Sequence, residues 1–537
     1  MSSPKTKRTF LGFDFSTQQV KAMVIDDALK VVYETHIKFD TDLPEFRTHG
    51  GVHVTEDNVT VTAPTIMWVK TLDMLLEKMK KDGVDFSTVA ALSGSGQQHG
   101  SVYWKTGARR VLSTLQPNHT LAEQLKDCFS IPDSPVWMDS STTEQCRQLE
   151  KALGGPQALA DLTGAKAFER YTGNQIAKIY QTNRGGYDNT ERISLVSSFG
   201  ACLFLGDYAP IDSSDGSGMN LMNIRTRVWD PDCLKICGGE TLEKKLGQIV
   251  PSLTNVGPIS SYFVDRYGFS PDCRVIVFTG DNPASLAGMT LTQGAIGVTL
   301  GTSDCVFLWL VEPKPNTQGV IFSNPVQTSD YMALLCFKNG SLTREGIRDK
   351  CADGSWEKFD QLLELTPKGN NGNIGMYFDV QEITPSISGV HRFTADNQKV
   401  SSFSDAIEVR AVLEGQFLSR RTHAENLGFA LGPSSKILAT GGASVNKSFL
   451  QVIADVFASP VYTLDVANST CLGAAYMAKH GWLGGDKVVS FDEVVKGALD
   501  YVLAAEPDTS VTEMYNTMAD RYRRLEQQIA KEQGADY

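Results

Sequence analysis

Residues 10–26 read FLGFDFSTQQVKAMVID, and residues 297–310 read GVTLGTSDCVFLWL. In the first stretch an apolar run to Phe15, a polar turn at Ser16, Thr17 and Gln18, and the alternation Val20, Ala22, Val24 predict two strands joined by a hairpin. The second stretch repeats the plan, with a strand, a turn at Gly301, Thr302 and Ser303, and the apolar strand Val306 to Leu310. Gly12 stands five residues before Thr17, and Gly297 stands five before Thr302. Two more echoes follow in the same order. The strand Val89 to Ser93 closes on Gly94-Ser95-Gly96, and the strand Lys436 to Thr440 closes on Gly441-Gly442; Pro135-Val136-Trp137 is answered by Pro460-Val461-Tyr462. Three echoes in one order predict a duplicated domain. The boundary is expected within Leu286 to Gly294, giving domains 9–290 and 291–527.

Helical spacing alternates with these strands, which predicts an α/β protein. Trp68, Leu72, Leu75, Leu76 and Met79 recur within 60–81, Val409, Val412, Leu413 and Phe417 within 408–421, and Met514, Met518, Tyr522, Leu525 and Ile529 near the C-terminus. The 537 residues are 41% hydrophobic and 21% charged, enough for large cores and unlike a disordered chain. With 50 Lys+Arg against 62 Asp+Glu the formal charge is −12, which disfavours nucleic acid and anionic membrane as partners. No run reaches the roughly 18 apolar residues of a membrane span. Met1 to Arg8 is polar and basic, without the apolar centre of a signal peptide. The ten cysteines are scattered, and Cys233 and Cys237 lack a second pair at zinc spacing, so reduced thiols in a cytoplasmic protein are expected. The sequence leaves a monomer or a homodimer open.

Five loops carry candidate chemistry. The turns at Ser16–Gln18 and Gly301–Asp304 offer backbone N–H groups and hydroxyls that can cradle phosphate oxygens, facing each other across a cleft in a duplicated fold. Asp14 beside the first cradle makes sense as a Mg²⁺ ligand, although an ordinary polar hairpin explains the turn equally well. No GxxxxGK[ST] segment occurs, which excludes a P-loop enzyme. Gly441-Gly442-Ala443-Ser444 joins a strand to a helix carrying Phe449, Ile453, Val456 and Phe457, and suits a flat ring or a phosphate, with Asn446 in reach of a ribose; a tight turn is the plain alternative. Asp281 follows the apolar strand Val275 to Phe278 in Thr279-Gly280-Asp281-Asn282-Pro283, the position of a general base or of a helix cap. Gly96-Gln97-Gln98-His99-Gly100 gathers amides and an imidazole that suit a polyhydroxylated ligand, or else form a solvated loop.

Taken in order, residues 13–21, 96–100, 280–282, 301–303 and 441–444 resemble the motifs of the FGGY family of carbohydrate kinases, over about residues 9–527. The resemblance implies two related actin-like ATPase (ribonuclease H-like) domains flanking a catalytic cleft. The Gln-His loop, the length and residues 336–341 (CFKNGS) look most like the animal members that act on D-xylulose. That implies transfer of a phosphoryl group from ATP, with Mg²⁺, to the C5 hydroxyl of D-xylulose. By the same resemblance Asp281 is the catalytic base and Asp14 lies near the metal and the γ-phosphate. Gln98, His99, Arg170, Asp281 and Asn282 contact the sugar. Thr17, Thr302, Trp356, Gly441, Gly442, Ala443 and Asn446 hold the nucleotide. Arg170 and Trp356 rest on the resemblance alone, with a surface salt bridge and a core tryptophan as their plain alternatives.

Two segments depart from the family pattern. Ser141 stands where Arg is common, leaving the role of Asp139 open, and Tyr180, near Lys178, stands close to a position usually given to Trp. Other readings remain: a kinase for ribulose, glycerol or another ketose or polyol, a non-catalytic actin-like ATPase, or a sugar sensor. A sensor with a degenerate nucleotide site is expected to lose Asp14 or Gly441-Gly442, and the chain keeps both.

Overall fold

The structure is a computed structural model that describes residues 8–432, 434–464, 468–498 and 501–535. The N-terminal tail before Arg8 lies outside the described residues. The chain packs as two units, the first comprising 8–290, 322–331 and 468–498, the second 291–321, 332–464 and 501–535.

The first unit is built on the hairpin of β1 (Thr9–Phe15) and β2 (Gln19–Asp26), which pair antiparallel with the turn at 16–18. β3 (Val31–Lys38) continues the meander beside β2. On the other side β4 (Val89–Gly96) lies parallel to β1. The sheet is completed by β5 (Asn255–Pro258), β6 (Arg274–Ile276) and the short β7 (Thr279–Gly280), with β6 and β7 both parallel to β4. The helix Thr65–Lys81 buries Trp68, Leu72, Leu75, Leu76 and Met79, the residues its 3.6-residue period selects. They join Phe13, Phe15, Phe199 and Phe278 in one core; each such side chain contributes roughly 1.5–3 kcal/mol on burial.

Gly12 has a packing reason. A Cβ there would lie 2.3 Å from the Cys471 carbonyl oxygen, so the helix Ser469–Trp482 can lie on β1 only where the strand has no side chain. The same helix crosses the helix Asp281–Gly288 at Gly473, whose added Cβ would stand 1.9 Å from the Ala284 carbonyl oxygen. A segment from late in the chain thus braces the helix that begins with Asp281.

In the second unit the hairpin recurs as β8 (Ala295–Leu300) and β9 (Asp304–Leu310), again antiparallel. With β10 (Val320–Ser323) and β11 (Tyr331–Phe337), whose residues 322–323 and 331 are counted with the first unit, and with β12 (Lys436–Thr440), β13 (Val461–Thr463) and β14 (Val502–Ala505), the sheet runs β10-β11-β9-β8-β12-β13-β14. β12 is parallel to β8 as β4 is to β1, so the first two echoes reflect a repeated topology. The third does not. β13 lies beside β12, whereas Asp133–Pro135 pairs with Val61–Pro64 in a small separate sheet, and β6 takes the place beside β4. The long insertion between β4 and β6 carries the Pro-Val-aromatic segment away from the main sheet.

The helix Asp405–Asn426 also differs from the one-faced helix its apolar spacing predicts. Glu408, Arg410, Glu414, Gln416, Arg420, Arg421 and His423 are buried beside Val409, Val412, Leu413 and Phe417, so the helix is enclosed all round. Its charges are internally matched, as in Arg392–Glu408 and Arg410–Glu414. Among the described residues the ten cysteines form no disulfide, Cys233 and Cys237 included. Among the described residues no helix is long and apolar enough to cross a membrane.

Candidate active site

Three chain segments leave the first sheet at one level. In the parallel register Phe15 pairs with Gly96, and Gly280 also pairs with Gly96. Ser16, Gln97 and Asp281 therefore step off neighbouring strand ends at the C-terminal edge of the sheet, where α/β proteins bind ligands. The Gln97 N–H donates to the Phe15 carbonyl at 2.9 Å and ties the Gln-His loop to the hairpin turn.

Asp281 opens its helix half-buried, with Oδ1 accepting from the Asn282 N–H at 2.9 Å. The Asn282 side-chain Nδ2 donates to Gln98 Oε1 at 2.8 Å and to Asp281 Oδ1 at 3.3 Å. Desolvation by the surrounding protein, reinforced by the Asp14 carboxylate, pushes the Asp281 carboxyl up to about 7. Asp14 is buried, taking hydrogen bonds from Ser16 Oγ and from Ser95 Oγ at 3.0 Å, with Lys21 Nζ 3.4 Å away.

His99 sits in the left-handed region at φ +70, held by Thr172 Oγ1 donating to its carbonyl at 2.9 Å. Its Nδ1 is 2.8 Å from the Gly218 carbonyl oxygen and so carries the proton, leaving Nε2 as an acceptor. The ring stacks on Tyr171 at 4.4 Å. Burial, then the nearby Arg170 charge, lower its pKa to about 3, so the imidazole is neutral. Arg170 lies half-buried with its guanidinium 4.7 Å over the Phe168 ring, and it makes no ion pair among the described residues. The neutral His99 imidazole and the Arg170 guanidinium thus lie together, and the adjoining Gln98 amide is linked through Asn282 to the raised Asp281 carboxyl.

In the second unit, Thr302, Trp356, Gly442, Ala443 and Asn446 line one cavity of about 730 Å³. Gly441 shapes its edge at φ +90, where a Cβ would lie 2.5 Å from the Leu300 carbonyl oxygen. Trp356 forms a flat wall, edge-on to Phe359 and Phe449 at 5.3 and 5.5 Å, with the Arg348 guanidinium 4.7 Å over its ring. Asn446 spends its amide within the protein: Oδ1 caps the helix Lys447–Phe457 by accepting from the Phe449 N–H at 3.0 Å, and Nδ2 donates to Asp360. Arg344, fully buried at the cavity floor, pairs with Asp304 through both terminal nitrogens at 2.9 and 3.0 Å, and Arg420 adds a third bond at 3.0 Å. One carboxylate between two guanidiniums leaves a positive charge in excess beneath the Gly301–Ser303 turn.

An added Cβ at Gly442 would meet no protein atom within 4 Å. Gly442→Val is therefore expected to leave the melting temperature within about 2 °C while raising the KM for a nucleotide about tenfold or more by filling the space a ligand needs; thermal melts with initial-rate kinetics check both.

Thr17 belongs to the first unit and takes no part in that cavity; its Oγ1 accepts from Trp137 Nε1 at 2.9 Å. Asp139 has a structural place, accepting from the Val61 N–H, the Ser141 N–H and Oγ, and Gln175 Nε2. Lys178 donates to Ser141 Oγ at 2.6 Å. Two carboxyls that sequence reasoning missed, Asp212 and Asp215, are fully enclosed behind the Gln-His loop. Their run, residues 212–215 (DSSD), reads as a common helix cap and gives no local signal.

Among the described residues no group of three or more His, Cys, Asp and Glu side chains could hold a metal ion. A buried single carboxylate, Asp14, suits an ion that keeps water and phosphate ligands rather than an all-protein cage.

Comparison with known proteins shows the family. Residues 9–288 match the model for the N-terminal domain of the FGGY family of carbohydrate kinases, and 296–482 match that for its C-terminal domain. The chain is 59% identical to a xylulose kinase of Rattus norvegicus over 98% of each chain, and 44% identical to xylulose kinase 2 of Arabidopsis thaliana over 98% of each. Among solved structures, a xylulose kinase from Rhodospirillum rubrum shares the fold with a TM-score of 0.79 at 16% identity, over 98% of this chain and 99% of that one.

Proposed function

The chain belongs to the FGGY family of carbohydrate kinases, and on that ground we propose that it transfers the γ-phosphoryl group of ATP to the C5 hydroxyl of D-xylulose, giving D-xylulose 5-phosphate and ADP. The observation that carries the reading is Asp281, a carboxyl raised to about 7 at the C-terminal edge of the sheet and linked by the Asn282 amide to Gln98 of the Gln-His loop.

The sugar is held by hydrogen bonds from these groups, with the Arg170 guanidinium and Asn282 orienting its hydroxyls. Asp281 accepts the proton of the C5 hydroxyl as that oxygen bonds to the γ-phosphorus. The bond between the γ-phosphorus and the bridging oxygen breaks, its electron pair staying on ADP. The adenine lies along Trp356 and over Gly442 and Ala443, and the phosphates meet the turn at Thr302 above the excess charge of Arg344 and Arg420. Thr17 in the hairpin turn offers a further hydroxyl to phosphate. Mg²⁺ would be held by Asp14 together with phosphate oxygens of ATP, and it supplies charge neutralisation there. Positioning and charge stabilisation supply most of the acceleration in such a reaction, and the base contributes about 10²- to 10⁴-fold.

The test is ADP release in a coupled assay across ketoses and polyols, with and without Mg²⁺. Release is expected to depend on both Mg²⁺ and D-xylulose. Equal rates with and without every sugar would remove the kinase reading, and a preference for ribulose or glycerol would keep the family and change the substrate.

The raised Asp281 carboxyl has a kinetic signature. Only its ionised form accepts a proton, so kcat/KM is expected to level above about pH 7 and to fall about tenfold per pH unit well below it. A profile that stays flat down to about pH 5 would show that another group takes the proton.

A further inference from the structure

Behind Gln98 lies a second pair of acids. Asp212 accepts from the N–H groups of Ser214 and Asp215 at 3.2 Å, from Ser252 Oγ at 2.5 Å and from Thr279 Oγ1 at 2.8 Å. It thereby joins the turn that carries Asp215 to the strand end that delivers Asp281. Asp215 accepts from Ser197 Oγ at 2.5 Å and from Gln98 Nε2 at 3.4 Å. No Lys or Arg pairs with either acid among the described residues. Burial raises both carboxyls above the ordinary range, Asp215 further because of Asp212.

The contact with Gln98 decides which way that amide points. Nε2 faces the Asp215 carboxyl, so Oε1 faces Asn282 and accepts from its Nδ2. A flipped Gln98 would set its carbonyl against the Asp215 oxygen and its NH₂ against the Asn282 NH₂. With Asn282 Nδ2 committed to Gln98 and Asp281, Asn282 Oδ1 is left as an acceptor for a hydroxyl. Space enforces the seat: a Cβ on Gly280 would lie 2.6 Å from Gln98 Cγ and 2.7 Å from Asp215 Oδ1.

We propose that Asp215 is a positioning residue for phosphoryl transfer, fixing the Gln98 amide and through it Asn282 and Asp281 against the sugar. This rests on the kinase reading above. Asp215 touches neither substrate, and its part is to hold a donor–acceptor chain in one sense, Asp215 to Gln98 to Asn282 to Asp281. A carboxyl serves because its two oxygens meet two donors, Ser197 and Gln98. Asn in its place keeps one oxygen for Gln98 and gives its NH₂ to Ser197 Oγ.

The experiment compares wild type, Asp215→Ala, Asp215→Asn, Gln98→Ala and the double alanine variant by ADP release with D-xylulose and ATP each varied. Asp215→Ala and Gln98→Ala are each expected to lower kcat/KM for the sugar about 10- to 100-fold, the scale of a misplaced reacting group, with the KM for ATP unchanged. The double variant is expected to be no worse than the poorer single, because the two residues act in series. Asp215→Asn is expected to stay within about threefold of wild type, since the hydrogen bond to Gln98 persists. Wild-type rates in Asp215→Ala, losses that multiply in the double variant, or an Asp215→Asn as poor as the alanine would each overturn the proposal. Should Asp215→Ala not fold, Gln98→Glu and its combination with Asp215→Asn decide it. The glutamate alone sets two acceptors face to face, and the amide introduced by Asp215→Asn supplies a donor, so the pair is expected to regain about tenfold; no recovery would overturn the proposal. Wild type lacking sugar-dependent release would instead refute the kinase reading itself.

Discussion

Asp281→Asn is expected to lower kcat by at least about 100-fold while ATP binding changes little. The amide matches the carboxylate in size and keeps an oxygen for the Asn282 N–H, so the start of the helix Asp281–Gly288 is preserved. It cannot take a proton from a hydroxyl. The cavity proposed for the nucleotide is lined by residues of the second unit alone, so the variant leaves it untouched. Stability is expected to move the other way. The folded carboxyl titrates near 7 and an unfolded one near 4, so between those values the folded protein holds the extra proton and the wild type loses stability as pH rises. The Asn variant escapes that loss and is expected to melt higher than wild type at pH 7. A stabilised protein with a hundredfold lower kcat marks a residue kept for chemistry. Near-normal turnover would remove Asp281 from the role of base.

Asp304→Ala is expected to destabilise the second unit by about 3–5 kcal/mol. Asp304 is fully buried, and its two oxygens hold two guanidiniums that are themselves inaccessible to water. Without it Arg344 keeps only Gln416 Oε1, and Arg420 only the Asn339 carbonyl oxygen, among the bonds these groups make. Two buried cations would then face each other with no counter-charge. For a unit of this size the loss corresponds to a fall in melting temperature of about 6 °C or more. The Gly301–Ser303 turn directly precedes Asp304, so the KM for ATP is expected to rise in any protein that remains folded. A melting temperature within about 2 °C of wild type would show that the guanidiniums find other partners.

The sequence and the structure agree most closely where a signal is local. The hairpin at Phe15–Gln19 shows itself through alternation and polar turn residues, and Asp281 shows itself because an apolar strand runs straight into it. Gly441 could be picked out because a strand-to-helix turn at positive φ favours glycine. What escaped reading is long-range. Gly12 is required by a carbonyl oxygen of Cys471, more than four hundred residues away, and Gly473 by Ala284. Nothing near Arg170 marks it, because the Phe168 and Tyr171 rings beneath its guanidinium read as ordinary core aromatics and the His99 imidazole whose charge it opposes comes from a distant strand end. Asp212 and Asp215 read as a helix cap, and Asp212 does cap a turn, but burial beside Thr279 and Gln98 gives the pair a second connection that no local pattern records. The Pro135-Val136-Trp137 echo failed for the converse reason: a short similarity survived while an insertion moved its strand to another sheet.

Transfer of the ATP phosphoryl group to the C5 hydroxyl of D-xylulose is proposed to use Asp281 as base. Its most direct test is phosphorus–proton correlation NMR of the product formed from ATP and D-xylulose. A phosphate monoester whose phosphorus couples to the C5 methylene protons is expected, formed by wild type and nearly absent with Asp281→Asn. Phosphate on another carbon, inorganic phosphate in place of ester, or the same ester at wild-type rate from Asp281→Asn would contradict it.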